Sequence, residues 1–446
     1  MSTEIIFATV EFLYGYITMK GKFNRLQKTM LRWNQVHPYN AFHAVRIQHQ
    51  LDSARLSAVI DTLLEQYGLT GLTLDKSKGI YQYLGGPVRT EIRIVEAGDH
   101  AHAALCHEVE TQINSPFTDD GMINPFRFFV IPEKGSFYLA IVYFHCIAGA
   151  ESIVFLMKGI VSMYLQQKPE GFRQQLNLYP KKSSFYPSSL IRSLSALPSH
   201  VRDMRKAFRP RYRTPDDQHN GFSLFSLGPD EFSVLMKTGR SWSVTLNDIF
   251  LALLMKSLSP LASGRFKAGR RRHIAVGSIV NIRKDLGIDS KDTFGLFLGS
   301  FIVSHHVPRG ISLKELAKDV HRQTETIKRY KLYLRTPIEL FFAQTLLSLL
   351  PPYRQKMFFQ KYYPLWGGIT NMNMNLLWKQ NEGENPIDYF RAVSTGPVTP
   401  LVLSITTVGD RVNVGLTYNT AVFTEQDVAL ITADLLHPIL QHMIRS

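Results

Sequence analysis

The chain has 446 residues, of which 45% are hydrophobic and 20% are charged, and its formal net charge is +15 at pH 7. This composition is ordinary for a globular protein and argues against a disordered chain, while the length suits two domains of about 200 residues each. Glu4 stands where a secretory signal would carry basic residues, and no apolar stretch is long enough to span a bilayer, so we expect a cytoplasmic protein. Two cysteines, Cys106 and Cys146, provide neither a disulfide framework nor a metal site.

The excess of basic residues predicts a negatively charged partner. Nucleic acid, a membrane surface, coenzyme A phosphates and an acidic carrier protein all fit the charge. The sequence has no C₂H₂ spacing and no RNP-like aromatic motif, which disfavours nucleic acid. Peripheral contact with a membrane stays open, together with the other two partners.

The first half of the chain alternates strand and helix patterns. Residues 39–50 alternate apolar and polar side chains as a half-buried strand does, and residues 51–66 follow with helical spacing and a cap at Asp52 or Ser53. Residues 4–29 carry little pattern and are predicted to form a short element and a loop. Further strands are predicted at 79–84 and 90–96, and a helix at 100–113.

A predicted hairpin in the first half ends in a single histidine. Its strands are residues 124–132 and 136–144, and His145 follows the second strand directly. Small residues come next, and then a helix pattern at 152–164. A histidine at the end of a buried strand can act as a base facing a channel, or it can be a hydrogen-bonded core residue. The local pattern leaves both interpretations open.

A segment rich in proline, serine and arginine separates the two halves. We predict an N-terminal lobe at 1–178, a basic linker at 179–220 and a C-terminal lobe at 221–446. The basic residues around the linker either lie in solvent or form a binding patch. They are Arg192, Arg202, Arg205, Lys206, Arg209, Arg211 and Arg213, and a second basic cluster follows at 265–272.

The second half repeats the alternation of strands and helices. Apolar residues between Phe341 and Trp366 either line a tunnel for a hydrophobic acceptor or pack in the core. His305 and His306 point to opposite faces of a predicted strand, so we assign them no metal site and no catalytic role. The predicted elements are strands at 221–227, 273–283, 301–308 and 369–375, helices at 229–239, 245–258, 312–330 and 337–350, a hairpin of 400–408 with 411–419, and a helix from 424.

Several of these segments, in their order and spacing, resemble the chloramphenicol-acetyltransferase-like superfamily. They are residues 45–64, 124–129 leading into 144–152, 246–253, 280–283, and the Gly409-Asp410 hairpin before 423–425. This superfamily includes peptide-synthetase condensation domains, polyketide-associated acyltransferases and alcohol acetyltransferases, and the resemblance spans nearly the whole chain. It implies an α/β fold of two lobes, each a mixed β-sheet with helices, with the active-site channel between them.

The family signature is His-His-x-x-x-Asp-Gly, and this chain departs from it. An ungapped match places Phe144 in the first histidine slot, His145 in the second, catalytic slot and Gly149 in the Asp slot. A shifted match would place Phe144 in the catalytic slot and predict an inactive site. We prefer the ungapped match because it keeps the upstream strand in phase and keeps Ser152 where the family often has serine. Phe144, Gly149, Glu151 and Ser152 are then structural residues near the site.

In the family, the missing Asp pairs with an arginine of an Asn-x-Arg strand, which is Arg283 here. A buried guanidinium without a partner costs several kcal/mol. We therefore expect Glu151, Asp285 or a ligand anion to replace the Asp, or Arg283 to turn towards solvent. An arginine freed from its structural duty could bind a substrate carboxylate or phosphate with two hydrogen bonds.

The resemblance implies an acyltransferase or condensation-type enzyme of secondary-metabolite biosynthesis. His145 would be the general base when a hydroxyl or amine attacks an acyl thioester. Asn281, Asn371 and Asn373 are candidates, by position, for stabilising the tetrahedral intermediate, and with Arg283 they form the predicted substrate-binding set. No bound cofactor and no metal is expected. The donor substrate would be acyl-CoA or a phosphopantetheinyl carrier protein.

Other expectations concern partners and alternative activities. The basic clusters would contact an acidic acyl or peptidyl carrier protein or CoA phosphates, and Cys146 would be a packed thiol. An alternative is an inactive or repurposed condensation-like module that binds carrier protein or substrate, or one that catalyses a different condensation or cyclisation in the same channel. The acyl chain, the acceptor, the type of donor and the oligomeric state are left open by the sequence.

Overall fold

Strands and helices alternate through most of the residues that the computed structural model describes. These are residues 9–13, 16–98, 100–117, 121–165, 204–214, 217–288, 293–351, 358, 364–378 and 388–445. They fall into two compact units. The first unit takes the described residues before 166 together with those of Asn281–Leu298 and Asn373–Val393, and the second takes the remainder. Most of the predicted linker, including Arg192 and Arg202, lies outside the described residues.

The strands and helices have the following bounds. The strands are β1 Thr9–Leu13, β2 Tyr16–Lys22, β3 Asn40–Ile47, β4 Leu72–Asp75, β5 Ile80–Tyr83, β6 Ile92–Ile94, β7 Met122–Ile123, β8 Phe126–Glu133, β9 Ser136–Phe144, β10 Asn220–Leu227, β11 Ile274–Asn281, β12 Leu298–His305, β13 Gly367–Asn373, β14 Tyr389–Val393, β15 Leu401–Val408 and β16 Arg411–Asn419. The helices are α1 Arg25–Asn34, α2 Ser53–Gln66, α3 Ala101–Asn114, α4 Ala150–Tyr164, α5 Pro229–Trp242, α6 Leu246–Leu258, α7 Leu313–Arg329, α8 Thr336–Ser348, α9 Met374–Leu377 and α10 Glu425–Arg445. None of these helices is long and apolar enough to cross a membrane.

The first unit contains two five-stranded sheets. Their strand orders are β1-β2-β5-β4-β7 and β14-β3-β9-β8-β6. In the second sheet β9 lies in the centre, antiparallel to β3 on one side and to β8 on the other, and every one of its residues is buried. A strand covered on both faces needs a continuous apolar run, which explains the pattern seen at 137–144. The residue that follows β9 therefore starts from a rigid support.

Two helices of the first unit show why their boundaries could be predicted. The side chain of Asp52 accepts a hydrogen bond from the N–H of Arg55 and caps α2, as the sequence predicts. Helix α4 is buried along nearly its whole length, because its residues are apolar on all sides. It begins directly after the turn that carries His145.

The second unit is built on one six-stranded sheet in the order β10-β16-β15-β13-β11-β12. Strands β15 and β16 form the predicted hairpin, in which Gly409 takes a positive φ of 58° at the turn. Helix α6 begins at a capping box between Thr245 and Asp248 and is almost entirely buried. The predicted fold class is confirmed: both units combine helices with a mixed sheet, since β6–β8 and β11–β13 are parallel pairs among antiparallel ones.

The structure differs from the predicted elements near the start of the described residues, in three short strands, and in the segment between Phe341 and Trp366. Residues 9–34 form β1, β2 and α1 rather than a short element and a loop, and the strands β4, β7 and β14 are additional. Trp366 is buried, whereas Phe341 and Phe342 of α8 are exposed, so core packing does not hold throughout that segment. The boundaries predicted for the two lobes stay a prediction.

Candidate active site

His145 occupies a short turn between β9 and α4. Its backbone N–H donates to the carbonyl oxygen of Tyr39 at 3.3 Å, which continues the pairing of β9 with the chain next to β3. The N–H of Ile147 donates to the carbonyl of Phe144 at 3.1 Å and closes the turn. These bonds hold the backbone of the histidine between two buried elements.

The side chain of His145 is fixed in one tautomer. It is 8% exposed, and its Nδ1 lies 3.1 Å from the carbonyl oxygen of Ala148. A carbonyl oxygen only accepts hydrogen bonds, so Nδ1 must carry the proton. In the neutral ring Nε2 then holds the lone pair, which is the arrangement that a general base needs.

Burial also sets the charge of this imidazole. It lowers the pKa of His145 to about 4, and the hydrogen bond to the Ala148 carbonyl opposes this change only in part. The ring is therefore neutral at pH 7 and able to accept a proton. Its affinity for that proton is lower than that of an ordinary histidine.

A row of buried polar and aromatic side chains extends from His145 across the sheet. The rings of Tyr39 and Tyr143 lie 5.5 and 5.7 Å from the imidazole of His145. Next in the row, His43 Nδ1 lies 2.7 Å from the hydroxyl of Tyr389. Burial holds the pKa of His43 well below its usual value, and the charge of Arg391 adds to this effect. The sequence analysis missed this row, although His43 and Tyr143 lie on the strand patterns that it used.

A contact from the first helix supports the histidine turn. Gln27 is 1% exposed, and its Nε2 donates to the carbonyl oxygen of Cys146 at 2.9 Å. The same side chain accepts from the N–H of Asn24 and completes a capping box at the start of α1. The Asn-x-x-Gln spacing is a signal for such a box, and it was overlooked in a stretch that shows little other pattern.

Arg283 points inward rather than into solvent. It is 3% exposed, and its guanidinium lies over the ring of Phe297 at 4.4 Å from the centroid. Nη1 donates to the carbonyl of Thr293 at 2.8 Å, while Nη2 donates to the hydroxyl of Ser152 and, at 3.3 Å, to the carbonyl of Gly295. The expectation that Arg283 might turn to solvent is therefore wrong, because neutral oxygens satisfy its terminal nitrogens.

Ser152 is the centre of this arrangement. Its hydroxyl accepts from Arg283 Nη2 and, at 3.0 Å, from the N–H of Gly295, and it donates to the carbonyl of Gly295 at 3.0 Å. The side chain is completely buried. Ser152 thus connects the first turn of α4 to the segment around Gly295. The ungapped match had assigned Ser152 only as a structural residue near the site.

The charge partner that acts on Arg283 is Glu151. Burial lowers the pKa of Arg283 to about 10, and the carboxylate of Glu151 acts in the opposite direction. Asn281 links the two residues, because its Nδ2 donates to Glu151 and its Oδ1 accepts from the backbone N–H of Arg283 at 3.0 Å. Glu151 therefore acts on Arg283 through its charge and through Asn281, and Ser152 accepts the hydrogen bond.

Gly149, in the Asp slot, is the N-cap of α4 with extended backbone at φ −85°. Its N–H donates to the carbonyl of Gly295 at 2.9 Å. A Cβ added here would meet that carbonyl oxygen and Leu298 at 3.7 Å, which is ordinary van der Waals contact. Neither backbone strain nor lack of space for a Cβ explains why the position is glycine.

The remaining predicted residues have other surroundings. Phe144 and Cys146 are buried at 1% exposure each, and the ring of Phe144 packs 6.0 Å from that of Phe117. Asn371 and Asn373 are exposed near the end of β13, and the side chain of Asn373 caps α9 by accepting from the N–H of Asn375. Among the described residues, no group of three or more His, Cys, Asp or Glu side chains is placed to hold a metal ion.

In the second unit, described residues of the two basic clusters lie next to each other. A β-bridge joins Ala207 to His273, with Phe208 donating to the carbonyl of His273 at 2.7 Å. Arg271 Nη1 donates to the carbonyl of Ala207 at 2.9 Å. Burial lowers the pKa of Arg271, and the charges of Arg209 and Arg270 lower it further, so like charges crowd together here. We call Arg205, Lys206, Arg209, Arg270, Arg271 and Arg272 the basic surface.

Comparison with known proteins adds to this geometry. The sequence profile of the condensation domain matches residues 23–445. No curated protein matches the chain. Solved structures do, at low identity and nearly full length, which shows a shared fold.

Three of these structures illustrate the range. The first condensation domain of the CDA synthetase is 14% identical, with 94% of this chain and 95% of that chain covered and a TM-score of 0.63. The starter condensation domain of rhizomide synthetase, solved with C8-CoA, is 13% identical, with 94% of each chain covered and a TM-score of 0.66. The epimerization domain from the third module of tyrocidine synthetase B is 14% identical, with 97% and 99% covered and a TM-score of 0.62.

The fold and the family match define a protein of the chloramphenicol-acetyltransferase-like superfamily, as the resemblance implied. Within it, the match over 23–445 shows that the chain belongs to the condensation-domain family. Condensation domains are acyl or peptidyl transferases, and the solved relatives include a domain that holds an acyl-CoA and another that is an epimerization domain.

Proposed function

We propose that this protein transfers an acyl group from a thioester to a hydroxyl or amine acceptor, with His145 as general base. One observation carries the proposal. The Nδ1 of a neutral, buried imidazole is held by the Ala148 carbonyl, so the lone pair is on Nε2 at the end of a rigid strand. Such a base contributes about 10² to 10⁴ in rate when the acceptor lies within hydrogen-bond reach.

The proposed reaction needs one proton acceptor. The acceptor hydroxyl or amine attacks the thioester carbonyl while Nε2 of His145 takes its proton. The tetrahedral intermediate collapses with cleavage of the C–S bond, and the imidazolium returns the proton to the departing thiolate. Asn281, Asn371 and Asn373 remain the proposed donors to the oxygen that becomes negatively charged, and Asn281 would use the Nδ2 hydrogen that it does not give to Glu151.

For Arg283 we propose a positioning role in place of substrate contact. Its Nη atoms bind Ser152 and two backbone carbonyls, so a substrate anion would have to displace these bonds. Through Ser152 the arginine fixes the start of α4, and that helix follows the histidine turn directly. Loss of Arg283 should therefore affect catalysis by loosening the turn.

The donor we propose is an acyl-CoA or an acyl group on a carrier protein. The rhizomide starter domain was solved with C8-CoA, which supports the first. The basic surface supports either, because CoA phosphates and carrier proteins are both acidic. A hydrophobic acceptor and a cytoplasmic location complete the proposal.

A second candidate is a non-catalytic module that binds carrier protein or substrate. Two observations favour it: Gly149 occupies the Asp slot of the signature, and the pKa of His145 is lowered to about 4, which weakens the base. A condensation or cyclisation of another kind, with His145 still as base, would share the same chemistry.

The test is thiol release from a panel of acyl-CoA and acyl-carrier donors with hydroxyl and amine acceptors. Wild type is compared with His145→Ala and with His102→Ala, which removes an exposed histidine from α3. We expect the first variant to lose about 10² to 10⁴ of the rate and the second to match wild type. If wild type releases no thiol above background with any donor or acceptor, the acyl-transfer proposal fails. If His145→Ala is fully active, the base lies elsewhere.

A further inference from the structure

The second unit contains a cavity of about 540 Å³. All of its lining residues belong to the second unit, whereas His145 belongs to the first. Its apolar lining consists of Trp366, Phe423, Leu261 and Val422, and the ring of Tyr212 completes it. Cavities of roughly 300–1,000 Å³ with aromatic walls and a few polar groups are typical of small-molecule sites.

The aromatic wall of this cavity is held in place. Trp366 is 4% exposed, and its indole Nε1 donates to the carbonyl oxygen of Phe208 at 2.9 Å. The ring of Phe208 stacks on it with an interplanar angle of 9°, and Phe423 contacts it edge-on at 6.4 Å between centroids. Since Phe423 is 1% exposed, its ring and the indole form a rigid base under the more accessible side chains of the lining.

Two arginines stand on the polar side of the cavity. Arg213 is anchored by its backbone N–H, which donates to the carbonyl of Ala421 at 2.8 Å, and by Nη2, which donates to the carbonyl of Thr420 at 2.6 Å. Arg211 is exposed, and within the part of the chain that the structure describes no hydrogen bond or ion pair engages its guanidinium. One fixed and one disengaged guanidinium thus line the same space.

The acidic residue in the lining already accepts hydrogen bonds within the protein. Asp427 Oδ2 accepts from both the backbone N–H and the hydroxyl of Thr424 at 2.8 Å and caps α10. The residues of the cavity therefore carry one more positive than negative charge. The segment 204–214, which carries both arginines of the cavity, also carries part of the basic surface, and that surface adds to the positive potential.

We propose that this cavity binds a small organic carboxylate. Its carboxylate accepts hydrogen bonds from Arg211 and Arg213, and its aryl or short aliphatic body packs against the accessible parts of Tyr212, Leu261 and Val422. The guanidinium fork matches a carboxylate in shape and charge, and these three side chains provide the apolar contact. The site is independent of the acyl-transfer reaction proposed for His145.

The test uses hydrocinnamate as the probe, with hydrocinnamyl alcohol as its uncharged counterpart and acetate as the anion without an apolar body. Binding is measured by isothermal titration or ligand-observed NMR on the full chain. We expect hydrocinnamate to bind more tightly than either of the others by about tenfold or more. Arg211→Ala should weaken its binding by about tenfold, because a charge-assisted hydrogen bond is lost without disturbing any bond within the described protein.

Two controls separate the site from its alternatives. Arg272→Ala removes the same charge from the basic surface outside the cavity and should leave hydrocinnamate binding unchanged. His145→Ala should also leave it unchanged, so failure of the acyl-transfer proposal would not affect this result. The proposal is overturned if hydrocinnamate does not bind, if the alcohol binds equally well, if Arg272→Ala weakens binding as much as Arg211→Ala, or if His145→Ala abolishes binding.

Discussion

The guanidinium of Arg283 donates a hydrogen bond from Nη2 to the hydroxyl of Ser152, across 131 residues of sequence. The partner is a neutral oxygen, where the signature of the superfamily would supply a carboxylate. The carboxylate of Glu151, the residue before Ser152, acts on Arg283 through its negative charge. Two neighbouring residues thus act on Arg283, Ser152 as a hydrogen-bond acceptor and Glu151 through its charge.

Replacement of Ser152 by alanine should lower the free energy of unfolding by about 1–3 kcal/mol, because Arg283 and Gly295 lose a buried hydrogen-bond partner. Ser162→Ala makes the same chemical change at another buried position of α4 and is the matched control. Urea unfolding of both variants gives the comparison. Equal losses would show that the bond to Arg283 contributes nothing particular to stability.

Gly149→Asp should fold and should be at least as stable as wild type, with a gain of up to about 1 kcal/mol. The backbone at position 149 is extended, an added Cβ makes only ordinary contacts, and Asp is a preferred N-cap residue. Gly149→Asn provides the same cap without the charge. The measurement is the free energy of unfolding at pH 7, and a loss of more than about 1 kcal/mol for both variants would mean that the side chain does not fit.

Stability should fall as the pH is lowered from 7 to 5, and His145 should account for part of this. Its folded pKa of about 4 lies below the ordinary value of 6.5, so the unfolded chain binds a proton in this range that the folded chain does not. The stabilising contribution is complete above pH 6.5 and is lost as the pH approaches 4. From pH 7 to 5 the loss is about 2 kcal/mol.

Urea unfolding of wild type and His145→Gln at the two pH values measures this contribution. The variant should lose about 2 kcal/mol less than wild type on acidification. His43, whose pKa is also lowered, remains in the variant, so part of the pH dependence should persist. Identical pH dependence in the two proteins would contradict the buried, neutral state of His145.

Gln27→Met should lower both stability and acyl-transfer activity. The substitution keeps the length of the side chain but removes the donor to the Cys146 carbonyl, which leaves a buried acceptor without that bond at a cost of about 1–3 kcal/mol. It also breaks the capping box of α1, so Asn24→Ala, which breaks the box alone, is the control. Activity should fall in Gln27→Met and persist in Asn24→Ala. Equal effects in the two variants would assign the loss to the cap.

Much of the fold could be predicted because its elements carry local signals. The run at 137–144 predicts a strand buried on both faces, and caps such as Asp52 and Thr245 mark helix starts at short range. Strands β4 and β7 are short, and β14 completes a sheet through residues far away in sequence. Such elements depend on distant pairing more than on their own pattern, which is why they were missed.

The candidate site also contains residues that could be predicted from the sequence and residues that could not. His145 could be singled out because it directly follows an apolar strand and matches the catalytic slot of a signature from which the chain otherwise departs. The partner of Arg283 could not, because serine is chemically unremarkable and its role depends on a contact 131 residues away. The row from His43 to Tyr389 joins strands separated by more than 300 residues of sequence.

The bond from Gln27 to Cys146 also has a consequence for the order of assembly. Its two ends are 119 residues apart. At a synthesis rate of about 5–20 residues per second, Cys146 is therefore added on the order of ten seconds after Gln27. The interval between Ser152 and Arg283 is slightly longer, because Arg283 is added 131 residues after Ser152. On the ribosome, the turn at His145 can therefore form before Arg283 is synthesised, and the hydrogen bond from Arg283 to Ser152 is made only later.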